Sequence, residues 1–125
     1  MSKYKNSSIF QSLGHAYRGL ALALKSQRNF RFDFMFGLFV LAVAIFLDFS
    51  LIELAILVLT VNAVLFAELI NTVIEFVVDA YYGNRYSPVA KMSKDIAAGA
   101  VLITSVSAII IGLLLFMPRI INFLL

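Results

Sequence analysis

The sequence predicts an all-α membrane protein, with an N-terminal amphipathic surface helix followed by three transmembrane helices. Two observations carry that prediction. Hydrophobic residues make up 62% of the 125 and mean hydropathy is +0.99, against roughly 45–50% apolar residues in a soluble domain. The apolar residues also gather into three uncharged blocks, at 34–47, 54–67 and 96–117. No internal repeat or linker interrupts them, so one domain spans residues 1–125.

The first element is the surface helix. Ile9, Leu13, Tyr17, Leu20 and Leu24 recur at spacings of three and four, with Gln11, Ser12, His15 and Arg18 between them. That pattern predicts a helix over about 8–28, lying on the membrane interface. No signal-peptide apolar region is expected, because the first long apolar run begins at Phe34.

A membrane span needs roughly 20 residues at 1.5 Å rise. Block 96–117 meets that length alone. The first two blocks reach it by extending past their charged edges, which puts the spans at about 30–48, 53–77 and 95–117. The second span must then carry Glu68 and Asn71 into the membrane or to its inner surface. Tyr82-Gly83-Asn84 reads as a turn, and Ser87-Pro88 as a helix start with Ser at N-cap and Pro at N1. Ala97, Ala98, Gly99, Ala100, Ala108 and Gly112 allow close helix contact in the last span.

Orientation follows from the basic residues. Lys3, Lys5, Arg18, Lys25, Arg28 and Arg31 precede the first span, and Arg85, Lys91 and Lys94 lie between the second and third. The turn after the first span holds only the acids Asp48 and Glu53. The positive-inside rule therefore expects a cytoplasmic N-terminus and a cytoplasmic 79–95 segment. Arg119 falls on the far side, which the rule tolerates. The net charge of +3 reflects this bias and an attraction to anionic headgroups. Nucleic acid is not an expected partner, because the basic residues flank the membrane and form no separate basic face. With no cysteine, disulfide frameworks and thiolate metal sites are excluded.

The chemistry lies in the second span. Glu68, Glu75 and Asp79 fall within about 40° of one another on a helix, with Asn71 and Thr72 beside them. An ionisable group near the bilayer centre costs ~2.5–3.5 kcal/mol by insertion scales, so this stripe is a candidate site. Glu68 and Glu75 are about 10.5 Å apart along the axis, which suits two different tasks better than one shared ion. One carboxylate can act as a base and the other as a ligand for Mg²⁺ beside substrate phosphates. Lys94 and Asp95, at the mouth of the third span, supply a phosphate-pairing cation and a further carboxylate. These are the parts of phosphoryl transfer.

Nucleotide-binding glycine motifs and soluble-kinase signatures are absent. On residue types alone, a small oligomeric ion or proton-coupled transporter uses the same acids almost as well, and a structural membrane protein would leave them silent. Plainer roles also stand open for single residues. Glu68 and Glu75 could pair with Lys94 or Arg28, Asp79 could be a solvated helix end, and the arginines could anchor on lipid phosphates.

Glu68-Leu-Ile-Asn71-Thr-Val-Ile-Glu75-Phe-Val-Val-Asp79 resembles the signature of the prokaryotic diacylglycerol kinase family, E-x-x-N-[ST]-x-x-E-x-x-V-D. Ala90-Lys-Met-Ser-Lys94-Asp95-Ile-Ala-Ala-Gly99 is similar to that family's second motif. Gly14-His-Ala-Tyr-Arg18-Gly19 and Gln27-Arg28-Asn29-Phe30-Arg31 resemble its surface helix and the approach to its first span. The likeness covers about residues 9–115.

The resemblance implies a homotrimeric helix bundle in the bacterial plasma membrane, with active sites shared between protomers. It implies Mg²⁺- and ATP-dependent phosphorylation of a lipid hydroxyl, giving undecaprenyl phosphate or phosphatidic acid. By motif position Glu68 is the base and Asn71 orients it. Glu75 holds the metal on the ATP phosphates, and Tyr86, Lys94, Asp95 and His15 lie on the nucleotide. Glu68, Ala98 and Arg31 lie on the lipid. Gln27 stands where the family commonly has a second metal-binding Glu, and His15 where Gram-negative members have an aromatic. The stretches around Gln27 and Lys94, with the absence of Trp, look more like the Gram-positive branch, whose members often phosphorylate undecaprenol. Undecaprenol and diacylglycerol both remain open as acceptors.

Overall fold

The computed structural model describes residues 8–125, so Lys3 and Lys5, counted above among the orienting cations, lie outside the described residues. The described chain is all helical: α1 (Ile9–Ser26), α2 (Arg28–Phe46), α3 (Leu51–Tyr82) and α4 (Pro88–Leu124). Of these, α2, α3 and α4 are long and apolar enough to cross a membrane.

Each helix begins and ends for a local reason. Ser8 caps α1, its hydroxyl accepting from the Gln11 N–H at 3.2 Å. Helix α1 stops at Gln27, whose extended backbone (φ −111°, ψ 106°) is the one-residue break before α2. Arg31 folds back over that break and donates to the carbonyls of Leu24 and Lys25 at 2.9 and 3.2 Å. A cation at the carbonyl end of α1 is favoured by the helix dipole. Phe30 is buried at the same junction.

The α2–α3 turn is tightly built. Asp48 takes φ 61°, a left-handed conformation that Asp tolerates better than most residues. Ser50 and Glu53 then form a reciprocal capping box at the start of α3, with bonds of 3.2 and 2.9 Å. Phe49 tucks inward beside Ala44 and Leu57, and its ring meets Phe116 of α4 at 4.8 Å. Arg119 donates to the Asp48 carbonyl at 2.8 Å and to the Glu53 carboxylate, its guanidinium lying over the Phe49 ring. The basic residue left on the far side by the charge pattern is therefore paired within the fold.

At the other end Gly83, at φ 60°, turns the chain out of α3. Arg85 caps that helix by donating to the carbonyls of Tyr81 and Tyr82 at 2.7 and 3.2 Å. Ser87 and Pro88 open α4 as N-cap and first helical residue, as their order predicts. Helix α4 then runs through Pro118 to Leu124, beyond the limit of 117 expected for the third span. Proline inside a helix is tolerated at membrane depth because neighbouring groups re-satisfy the freed carbonyl.

Close approach of α2 to α3 depends on Gly37. An added Cβ would meet Val61 Cγ1 at 2.6 Å. Beside this contact α2, α3 and α4 enclose a cleft of about 660 Å³, walled by Phe36, Leu57, Val64, Ile109 and Phe116 among others, with Asp33 as its one charged lining residue. Few side chains are fully buried, and large apolar ones such as Phe39, Leu59, Leu102 and Leu114 are exposed on the bundle exterior. That exterior suits lipid or another apolar surface.

Candidate active site

The stripe forms on α3 as the helical spacing requires. Glu68 is half-buried, and its carbonyl accepts from the Thr72 hydroxyl at 2.9 Å. One turn further, Asn71 Nδ2 stands 3.5 Å from Glu75 Oε1. Asn71 Oδ1 is buried and has no hydrogen-bond partner among the described residues. Glu75 itself is exposed. The half-buried Glu68 and the exposed Glu75 thus occupy different surroundings on one face.

Other elements deliver charge to that face. From α2, the Asp33 carboxyl comes within hydrogen-bonding reach of Glu68. From α4, Lys94 Nζ lies 2.6 Å from Asp79 Oδ1 and within electrostatic reach of Glu75. Asp95 is held by Lys91 at 2.7 Å, one helical turn back. The structure therefore gathers Asp33, Glu68, Asn71, Glu75, Asp79 and Lys94 into one band.

The remaining sequence-predicted residues lie elsewhere. His15 is exposed on α1 and its Nδ1 is hydrogen-bonded to Arg18. Gln27 is half-buried at the α1–α2 break, its amide 3.4 Å from Ser26 Oγ. Arg31 caps α1, Tyr86 is exposed before α4, and Ala98 is exposed on α4. No hydrogen bond among the described residues joins any of these five to the band. Nor do three of His, Cys, Asp and Glu cluster tightly enough there to hold a metal without other ligands.

Sequence reasoning missed Asp33. The structure sets this residue against Glu68. A signal was present: Asp33 is the only acid in α2 and the first acid in the chain.

Against known proteins, the family described as prokaryotic diacylglycerol kinase matches residues 14–116. That range takes in the Glu68–Asp79 stripe and the Lys94-Asp95 pair. The chain belongs to the prokaryotic diacylglycerol kinase family. Among its relatives, the undecaprenol kinase of Bacillus subtilis is 39% identical over 111 residues, 89% of each chain. The diacylglycerol kinase of a Synechocystis strain is 38% identical over 115 residues, 92% of this chain and 66% of that protein. The diacylglycerol kinase of Escherichia coli K12 is 31% identical over 102 residues, 82% of this chain and 83% of that one. As a member of this family the chain is a lipid kinase, and the general reaction is ATP-dependent phosphorylation.

Proposed function

We propose that the chain transfers the terminal phosphoryl group of ATP to the primary hydroxyl of a membrane lipid, undecaprenol ahead of diacylglycerol, at the cytoplasmic face of the bacterial plasma membrane. The observation that carries this reading is the position of Asp33 and Glu68. Asp33 lines a cleft of about 660 Å³ with largely apolar walls and reaches Glu68 at the same time. A lipid tail can occupy such a cleft while its hydroxyl meets the carboxyl pair.

In this reading Glu68 accepts the hydroxyl proton as the new P–O bond forms, and Asp33 fixes the orientation of the Glu68 carboxyl. Asn71 positions the Glu75 carboxylate. Lys94 neutralises charge on the phosphates, exchanging Asp79 for a phosphate oxygen. The residues fit Mg²⁺: the exposed Glu75 carboxylate adjoins the partnerless Asn71 Oδ1, and both are oxygen donors of the kind this cation takes. When bound with ATP the cation supplies charge neutralisation at the phosphates.

We also infer a homotrimer with α1 on the cytoplasmic interface. Phe10, Leu13, Tyr17 and Leu20 of α1 are exposed apolar residues that nothing among the described residues covers. A neighbouring protomer would bring its Gln27, His15 or Tyr86 to the band. Undecaprenol is named first because the match to the undecaprenol kinase spans 89% of both chains.

The test is transfer of labelled phosphate from ATP to undecaprenol and to diacylglycerol in mixed micelles with Mg²⁺, using wild type and Glu68→Gln. Expected are phosphorylated lipid from wild type, more from undecaprenol in direct competition, and near-complete loss in Glu68→Gln. Absence of transfer to either lipid overturns the reading.

A further inference from the structure

Two ion pairs fix the level of α4 against α3. Lys94 is paired with Asp79; Glu68 lies eleven residues before Asp79, and Ser105 eleven residues after Lys94. Arg119 is paired with Glu53 at the other end, and these lie fourteen residues after Ser105 and fifteen before Glu68. In antiparallel helices rising about 1.5 Å per residue, both pairs set Ser105 and Glu68 at one depth to within about one residue. Ser105 lines the cleft that Asp33 also lines, and Ala108, Gly112 and Phe116 continue its face of α4 away from the carboxyl pair.

A serine or threonine in an apolar helix commonly returns its hydroxyl to a carbonyl of the preceding turn. Thr60, which also lines the cleft, donates to the Ile56 carbonyl at 2.7 Å. Thr72 donates to the Glu68 carbonyl at 2.9 Å, and Thr104 to the Val101 carbonyl at 3.0 Å. Ser105 departs from this pattern. It is half-buried, and its hydroxyl has no hydrogen-bond partner among the described residues. The neighbouring wall residues Val64, Ile109 and Leu113 offer it none. A hydroxyl left unpaired among apolar groups costs free energy until a ligand brings it an acceptor.

We propose that Ser105 selects among lipid acceptors, its hydroxyl donating a hydrogen bond to an ester carbonyl of a diacylglycerol whose free hydroxyl lies on Glu68. The inference rests on the lipid kinase reading above and adds to it the residue that reads the acceptor. In a diacylglycerol an ester carbonyl stands only a few bonds from the reacting hydroxyl. The two groups therefore sit at nearly one depth, as Ser105 and Glu68 do. A polyprenol has no carbonyl and leaves Ser105 unpaired. A site built to hydrogen-bond one ligand discriminates against an analogue that lacks the partner group. Ser105 thus narrows the lead of undecaprenol over diacylglycerol, and its removal widens that lead.

The test measures kcat/KM in mixed micelles with ATP and Mg²⁺ for wild type and Ser105→Ala. Three acceptors are compared: a diacylglycerol, its dialkyl ether analogue, which keeps the hydroxyl and lacks the carbonyls, and undecaprenol. Loss of one hydrogen bond between neutral groups corresponds to roughly three- to tenfold. In Ser105→Ala the diacylglycerol-to-diether ratio is expected to fall by that factor, and the diacylglycerol-to-undecaprenol ratio with it. Ratios taken within one preparation do not depend on how much of the variant folds. Both ratios unmoved, an equal loss on all three lipids included, overturn the proposal. A fall in the undecaprenol ratio alone overturns the carbonyl as the partner of Ser105, and a fall in the diether ratio alone overturns selection between the two lipids. A wild type that phosphorylates undecaprenol and neither glycerolipid overturns the role of Ser105 and leaves the lipid kinase reading standing. A wild type that phosphorylates none of the three overturns both.

Discussion

Lys94 Nζ lies 2.6 Å from Asp79 Oδ1, an ion pair that ties the last turns of α3 to the first turns of α4. The side chains are 40% and 61% exposed, so the pair adds little to stability. Its effect is on position: it holds the ammonium beside Glu75, where ATP phosphates would arrive. Asp79→Asn should therefore raise KM for ATP several-fold, leave kcat within a factor of about two and barely move the melting temperature. Lys94→Met should depress kcat as well. Steady-state kinetics against ATP separate the two, and an unchanged KM in Asp79→Asn would show that Lys94 is not oriented by this pair.

The parts of the molecule legible in the sequence are those governed by local rules. Uncharged blocks located the three long apolar helices, Ser87 before Pro88 located the start of α4, and 100° arithmetic placed Glu68, Asn71 and Glu75 on one face. The encounter of Asp33 with Glu68 was not legible, because it depends on how closely α2 approaches α3 at Gly37. Arg119 reaches Glu53 across 66 residues, and no local pattern announces that. Pro118 misleads in the other direction. As a helix breaker it marks an end by local rules, yet the membrane's demand for satisfied backbone groups keeps α4 helical through it.

Asp33 and Glu68 are expected to act as a unit. Glu68→Gln should lower kcat by ~10²–10⁴-fold, the usual contribution of a positioned base. Asp33→Asn should cost less, because Glu68 can still accept the proton from a poorer orientation. The double variant should then be little worse than Glu68→Gln alone, since residues that serve one step give non-additive losses. A double-mutant cycle on kcat measures this, and full additivity would separate Asp33 from the base.

Gly37→Ala places a methyl 2.6 Å from Val61 Cγ1. Val is stiff at χ1, so the helices must part and the side chain cannot simply swing aside. Overpacking of this kind costs ~1–3 kcal/mol. Thermal unfolding in detergent should show a lowered midpoint for Gly37→Ala and substantial recovery when Val61→Ala is added. Failure of the second substitution to recover stability would place the strain elsewhere.

Arg119 closes the opposite end by bonding Glu53 and the Asp48 carbonyl, and both charged side chains are mostly buried. Arg119→Met leaves the Asp48 carbonyl without its donor and the Glu53 carboxylate with the Ser50 N–H alone, and should lower the unfolding midpoint. Glu53→Gln with Arg119→Met should be less destabilised than Arg119→Met alone, because the abandoned charge is gone. Lipid kinase activity at permissive temperature should be nearly unchanged, since the pair sits at the end of α3 far from Glu68. Unfolding midpoints and turnover measured together test both halves.

Gln27 bears on the metal. In a single chain its amide contacts Ser26, and the Glu75–Asn71 pair offers only one carboxylate to a cation. Mg²⁺ is expected to be held mainly by ATP and Glu75, with a neutral amide from Gln27 adding no charge. Gln27→Glu would bring a second carboxylate if residue 27 of any protomer faces the cation, and the Mg²⁺ midpoint should then fall. Glu75→Gln should abolish turnover at every Mg²⁺ concentration, because Glu75 is the carboxylate beside Asn71 that would hold the cation on the phosphates. Mg²⁺ titrations at saturating ATP for wild type, Gln27→Glu and Glu75→Gln measure these outcomes. An unmoved midpoint in Gln27→Glu would show that residue 27 stays with the α1–α2 break and takes no part in metal binding.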